Sequence, residues 1–299
     1  MAASSAADVP PAAGRTVVVT GANSGIGRVT ARVLAERGAR VVLAVRDLAK
    51  GREAASTMAG DVVVRRLDLA DLSSVARFVA ELTEPVDVLI NNAGLSLPPL
   101  SRTVDGFELQ LGTNHLGHFA LTNLLLPQIR GRVVTVSSQA HRLGSLDLTD
   151  LNWERRPYRA NPAYGQSKLA NLLFTAELQR RLGETGSPVI ATAAHPGISV
   201  TNLFRPQQDT LRARLGGAVL RLVAQSEEEG ARPVLHAATA DVPGNSYLGP
   251  NGFMEIRGAP TLVGRAARAR DLGVARRLWE VSEELTGTTF PRRHPSSTS

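Results

Sequence analysis

A doubly wound α/β fold, one mostly parallel sheet with helices on both faces, is predicted by three observations. Short β-branched runs alternate with amphipathic stretches over most of the chain. The runs are apolar throughout, as strands covered on both faces must be. A glycine-rich turn joins the first run to the first helical stretch. With 299 residues, 43% of them apolar, one large α/β domain is the economical reading.

Taken in order, residues 1–14 are Ala, Ser and Pro with little to bury, and read as a flexible arm. The domain begins at Arg15 and runs to residue 287. Strands are expected at residues 16–20, 40–45, 62–66, 86–91, 132–137 and 188–194, each a short Val-, Ile- or Ala-rich run. Helices are expected at residues 25–37, 48–58, 72–82, 107–128 and 163–182. Gly38 and Gly183 stand at or just past two of their C-caps. After Ala194 the alternation loosens. Residues 198–224 have no clear period and read as a substrate lid, followed by helices at 227–240 and 271–285 and a flexible tail at 288–299.

Composition narrows the function. The net charge of +7 suits a polyanion partner, but arginine is spread among acidic residues. Only residues 265–277 and Arg292, Arg293 and His294 are locally basic, so a solvated face is expected and no nucleic-acid partner. The absence of cysteine excludes disulfides, thiolate metal sites and a cysteine nucleophile. No stretch approaches the roughly 20 apolar residues of a membrane span, and no basic-then-apolar leader opens the chain. A cytoplasmic protein is expected. Lysine occurs only twice, as Lys50 and Lys168, in a chain that otherwise uses arginine.

Thr20-Gly21-Ala22-Asn23-Ser24-Gly25-Ile26-Gly27 lies between the first strand and the first helix. Gly21, Gly25 and Gly27 permit a tight turn and close backbone approach to a pyrophosphate, while the helix N-terminus offers free N–H groups to anionic oxygen. A dinucleotide site is expected. Its type is set at the end of the second strand, where a carboxylate about 20 residues past the glycines favours NAD. Here Val45 holds that place, followed by Arg46 and Asp47. The guanidinium fork suits a 2′-phosphate, which favours NADP(H) over NAD(H). The opposing assignment makes Arg46 a surface residue and Asp47 the ribose ligand.

Tyr164 and Lys168 are four apart on an expected helix and share a face. An ammonium roughly 4 Å from the phenol, at an effective dielectric of about 20, favours the phenolate by up to about 4 kcal/mol, or about 3 in pKa. The expectation is a tyrosine brought toward neutrality, where general acid–base catalysis works best.

Together these segments resemble the short-chain dehydrogenase/reductase superfamily. The matching stretches are the glycine-rich turn, Asp68-Leu69, Asn91-Asn92-Ala93-Gly94, Thr113-Asn114-His115, Val136-Ser137-Ser138, Tyr164-Gly165-Gln166-Ser167-Lys168, and Pro196-Gly197 with Thr201. They come in the family's order and cover the chain from Arg15 to about Leu285. Val45-Arg46-Asp47, Asn114-His115-Leu116-Gly117-His118-Phe119, Ser167-Lys168-Leu169-Ala170-Asn171, His195-Pro196-Gly197, Leu278-Trp279-Glu280 and the long gap from Ser138 to Tyr164 are similar to the retinol-dehydrogenase and WW-domain-oxidoreductase branch. No WW module is expected ahead of the enzyme part.

The resemblance implies a single-domain Rossmann fold with a seven-stranded sheet. It also implies an enzyme moving a hydride between nicotinamide and a carbonyl or alcohol. Tyr164 is then the proton donor and acceptor, Ser138 the hydrogen-bonding partner of the substrate oxygen, and Lys168 the tuner of Tyr164 and ligand of the nicotinamide ribose. Asn114 anchors a water for proton resupply. Asp68 and Leu69 flank the adenine; Asn92, Ala93 and Gly94 line the cofactor; Pro196, Gly197 and Thr201 approach the nicotinamide end. Asn23, Ser24 and Ile26 belong to the same cofactor loop. The implied substrates are lipophilic aldehydes, ketones or alcohols, and in the family a surface of the helix at 163–182 often makes a homodimer.

Other readings are weaker. His115 and His118 have no third ligand nearby in sequence, so no metal is expected. Ser138 lacks the Gly-x-Ser-x-Gly elbow of a hydrolase. Trp153, Tyr158 and Trp279 read as packing residues. The rivals are an NADPH-binding sensor or scaffold without turnover, which has no need of a proton relay, and an epimerase or dehydratase that retains NAD.

Overall fold

The computed structural model describes residues 9–197 and 226–291. Eight strands form one sheet: β1 (Thr16–Thr20), β2 (Arg40–Val45), β3 (Val62–Arg66), β4 (Val86–Asn91), β5 (Ile129–Val136), β6 (Ile190–Ala194), β7 (Tyr247–Pro250) and β8 (Pro260–Leu262). Their order is β3-β2-β1-β4-β5-β6-β7-β8, parallel throughout except for the antiparallel β7–β8 pair. The expected seven strands become eight because the chain doubles back after β7. Neither β7 nor β8 is legible as a β-branched run: one is Tyr-Leu-Gly-Pro and the other Pro-Thr-Leu.

Successive side chains of a strand point to opposite faces, so each central strand supplies two cores. Val17 and Val19 of β1 join Val29, Val33 and Leu34 of α1 (Gly25–Glu36) and Val234 of α7 (Glu227–Thr239) on one face. Val18 points the other way, with Phe78 of α3 (Leu72–Glu81), Phe119 of α5 (Gly117–Leu125), Phe174 and Leu178 of α6 (Ala160–Glu184) and Trp279 of α8 (Leu272–Thr286). Among the described residues no helix is long and apolar enough to cross a membrane.

Helix ends follow local chemistry. The α1 helix closes on Gly38 at φ 91°, whose N–H bonds Ala35 O at 2.9 Å while Ala39 N bonds Leu34 O at 3.1 Å, a Schellman pair. Asp47 caps α2 (Leu48–Ser56) and Asp71 caps α3. In α6 the expected stop at Gly183 is wrong. The helix runs on to Glu184, and Gly186 at φ 62° makes the left-handed turn, its N–H bonding Gly183 O at 3.1 Å.

The helix expected over residues 107–128 is broken. Glu108 caps the short α4 (Leu109–Leu111), residues Gly112–Leu116 form a π turn, and α5 follows. The break coincides with close approaches: a Cβ on Gly112 would meet Thr103 Cγ2 at 2.4 Å, and one on Gly117 would meet Leu69 O at 2.3 Å. Both flanking segments are also better anchored than expected. Val9 and Ala12 are buried in the sheet's first core, and Ala12 N bonds Arg37 O at 2.8 Å. At the other end Phe290 packs 6.0 Å from Trp279, and its N–H bonds Glu283 Oε1 at 2.9 Å. The expected lid at 198–224, with Thr201, lies outside the described residues.

Candidate active site

The strand order reverses between β1 and β4, and the crevice at the strands' carboxyl ends opens there. It is a cleft of about 970 Å³ that runs from Arg46 and Asp47 past the glycine-rich turn to Ser138, Tyr164, Lys168, Pro196 and Gly197.

At one end the geometry fits a dinucleotide. Gly21 and Gly25 have φ of 66° and 57°, so the turn leaves β1 through conformations that side chains disfavour. A Cβ on Gly27 would lie 2.3 Å from Asn92 Nδ2, so the helix must carry glycine to sit against the β4 loop. That loop is tied to β1 by Thr20: its Oγ1 accepts from Asn92 N and Ala93 N, both at 2.9 Å, and its carbonyl accepts from Asn92 Nδ2 at 2.8 Å. Ser24 makes no side-chain cap for α1, and the first turn holds no acid. The positive end of the helix therefore faces the cleft without a protein anion, the arrangement that receives a phosphate.

The adenosine end separates Arg46 from Asp47. Asp47 Oδ1 accepts from Ala49 N at 3.0 Å and Lys50 N at 3.1 Å, and its carboxyl is held below the usual range by the bond from Lys50 N. Asp47 is thus committed to capping α2. Arg46 is exposed and lines the cleft, as does Lys50, a residue that sequence reasoning did not assign to the site. Asp68 and Leu69 line the same end, and Asp68 Oδ1 accepts from Ala70 N at 3.0 Å.

At the other end, Tyr164 and Lys168 project from α6 beside the turn after β5. Ser138 caps that turn, its Oγ accepting from Ala140 N at 3.2 Å. Gly165 allows the approach: a Cβ there would stand 2.9 Å from Ala140 O. The Lys168 ammonium donates to Val136 O at 3.1 Å and lies 5.7 Å from the centre of the Tyr164 ring.

The electrostatics run opposite to expectation. Burial pushes the Tyr164 phenol up to about 12, against a hydrogen bond from Ser138, and burial pushes Lys168 down to about 8. Desolvation disfavours the charged form of each group, and the ammonium is directed to the Val136 carbonyl.

Asn114 does not line the cleft. It is fully buried behind Gly94 and Leu95, accepting from Leu95 N at 2.9 Å and donating to Leu95 O at 3.0 Å and Ser167 Oγ at 2.9 Å. Its side chain therefore shapes the Asn92–Gly94 wall, while its Oδ1 stays near Lys168: both atoms come within 3.4 Å of a Cβ placed on Gly94. His115 and His118 are buried with separate partners, Ser282 Oγ for one, Thr20 Oγ1 and Asn114 O for the other. Sequence reasoning also missed the apolar rim of Leu95, Leu97, Leu143 and Pro162. Leu95, Leu97 and Leu143 stand on loops and Pro162 in the first turn of α6, where no periodicity marks them.

Comparison with known proteins identifies the family. The family model for short chain dehydrogenases matches residues 15–212. Human retinol dehydrogenase 13 is 43% identical over 297 residues, covering 93% of this chain and 86% of the relative. Human retinol dehydrogenase 12 is 45% identical over 286 residues, with 92% and 87% covered. A crystal structure of an uncharacterised protein from Mycobacterium paratuberculosis is 56% identical, with a TM-score of 0.86 over 97% of this chain and 100% of that one. A protein described as an NAD(P)-dependent gluconate 5-dehydrogenase from Beutenbergia cavernae, with bound NADP, is 29% identical at a TM-score of 0.58 over 77% and 92% of the two chains. On the match of the family model over most of its length and on these identities, the chain belongs to the short-chain dehydrogenase/reductase family, in its retinol dehydrogenase-like branch, and so to the oxidoreductases that work with a nicotinamide cofactor.

Proposed function

We propose that this chain is an NADP(H)-dependent carbonyl reductase acting on lipophilic aldehydes or ketones, with Tyr164 as the general acid. One observation carries the reading: Ser138, Tyr164 and Lys168 stand at one end of a single cleft whose other end offers an unneutralised helix N-terminus and Arg46.

The nicotinamide, when bound, supplies the hydride. The chain supplies the rest. The N–H groups at the start of α1 receive the pyrophosphate, and Arg46 the 2′-phosphate, since Asp47 is engaged with its own helix. Ser138 Oγ orients the substrate oxygen. A phenol held near 12 is fully protonated at neutral pH, so Tyr164 stands ready to give its proton to that oxygen. Lys168, with a value of about 8, remains mostly charged at neutral pH and holds positive charge beside the developing phenolate. Leu95, Leu97, Leu143 and Pro162 give the substrate's body an apolar surface, in keeping with relatives named for retinol.

Incubating the protein with NADPH and a panel of lipophilic aldehydes and ketones tests this. Turnover is expected in the wild type, with kcat reduced on the order of a thousandfold in Tyr164→Phe. Binding of NADPH without consumption would replace the enzyme by a sensor, and equal rates in the two proteins would remove Tyr164 from the chemistry.

A further inference from the structure

Glu255 lies between β7 and β8, outside the catalytic set, yet it touches both turns that flank the reaction centre. Its Oε2 accepts from the side-chain amide of Gln139 and from His195 Nε2, the latter at 3.0 Å; its Oε1 accepts from Arg142 Nη2 at 3.3 Å. Gln139 follows Ser138 directly. His195 directly precedes Pro196 and Gly197.

Each contact is built rather than incidental. His195 is fully buried, and its Nδ1 accepts from Gly197 N at 3.2 Å, which leaves the ring proton on Nε2 for Glu255. Burial pushes this imidazole down to about 3, so the contact is a neutral donor meeting a carboxylate. On β7 a Cβ at Gly249 would come 2.0 Å from His195 Nε2, so the strand passes this ring as glycine. The serine turn is secured to the same C-terminal segment at two further points. Arg142 Nη2 donates to Gly264 O at 2.8 Å, and Ala266 N donates to His141 Nε2 at 3.1 Å.

The backbone bringing Glu255 there is strained. Met254 and Glu255 have φ of 51° and 56°, the left-handed region that residues with side chains disfavour. Phe253 and Met254 are exposed, so their own burial does not compensate that strain, whereas the half-buried carboxylate of Glu255 gathers three donors. An outlier maintained in this way marks a side chain that is held in place.

We propose that Glu255 is a positioning residue that clamps the Ser138 turn and the Pro196–Gly197 turn together, holding the serine hydroxyl in register with the nicotinamide end of the cleft. Its catalytic consequence rests on the functional reading above; the clamp itself is a property of the fold.

Two measurements on the full-length protein separate them. Amide hydrogen exchange is followed at residues 138–143 and 195–197 in wild type, Glu255→Ala and Glu255→Gln, alongside kcat and KM for NADPH. The clamp predicts faster exchange in both segments of Glu255→Ala, with kcat lower on the order of a hundredfold and KM for NADPH changed by less than about threefold, because a small displacement at the reacting end leaves the glycine-rich turn intact. Glu255→Gln keeps one acceptor oxygen and should recover part of both effects; it also carries the comparison if the alanine variant unfolds. Unchanged exchange in either segment, or an unchanged kcat, overturns the proposal. A wild type that reduces no carbonyl removes the functional reading, and the exchange data then decide the clamp on their own.

Discussion

Arg46 and Asp47 are neighbours at the end of β2 with opposite charges, both line the cleft, and the aspartate is the more engaged with its own helix. The aspartate spends Oδ1 on two N–H groups of α2, and its other oxygen stands 3.8 Å from Lys50 Nζ. The guanidinium lines the cleft. Charge-assisted bonds to phosphate are among the stronger polar contacts, so Arg46→Ala should raise KM for NADPH by about tenfold or more while KM for NADH changes by less than about twofold. Steady-state kinetics with both cofactors checks this, and equal changes would return the ribose to Asp47. Tyr164 and Lys168 teach a related lesson. Their i, i+4 spacing is a fact of sequence, but the direction in which each titrates depends on water excluded by other segments.

The π turn at Gly112–Leu116 is the element that most affects the site. An uninterrupted α-helix would carry Asn114 elsewhere relative to Leu95; the extra residue in the turn lets its side chain bridge to that backbone. The turn lies against the Asp68–Leu69 loop, with no space for a methyl group on Gly117. Gly117→Ala should cost about 1–3 kcal/mol of stability, as overpacking against backbone does, and also weaken NADPH binding by displacing Leu69. Chemical denaturation and a cofactor titration measure the two effects. Wild-type values for both would mean that the close approach is relieved without moving the loop.

At the level of the whole molecule, burial of histidine sets the acid limit. Desolvation pushes His115 and His195 down to about 3, and His118 and His141 to about 4. All four carry depressed folded values against about 6.5 in the unfolded chain, so the unfolded state binds more protons between these limits. The stabilisation is complete above about pH 6.5 and is lost as pH falls toward about 4, each histidine contributing up to about 1.4 kcal/mol per pH unit in that window. Glu108 works with the opposite sign, since burial raises its carboxyl, but His236, also lowered by burial, adds to the histidine side. The melting temperature should therefore fall steeply below pH 6. A flat profile from pH 7 to 5 would show that these rings accept protons in the folded state.

The alternation of apolar runs and helices was enough to locate β1 to β4 to the residue and to define the sheet's two faces, because a strand buried on both sides can hold only apolar residues. The glycine-rich turn and the Tyr164–Lys168 pair were equally legible, since both depend on contacts within one turn or one loop. The last strands β7 and β8, the broken helix before α5, the apolar rim and the Glu255 contacts were not. Each arises where segments far apart in sequence meet: Leu69 with Gly117, Ala140 with Gly165, His195 with Glu255. Local sequence was enough to pick out the glycine-rich turn, Ser138, Tyr164 and Lys168, which the fold brings to one cleft. Their protonation, reach and register were decided by tertiary packing, because desolvation and close contact depend on neighbours that no local pattern encodes.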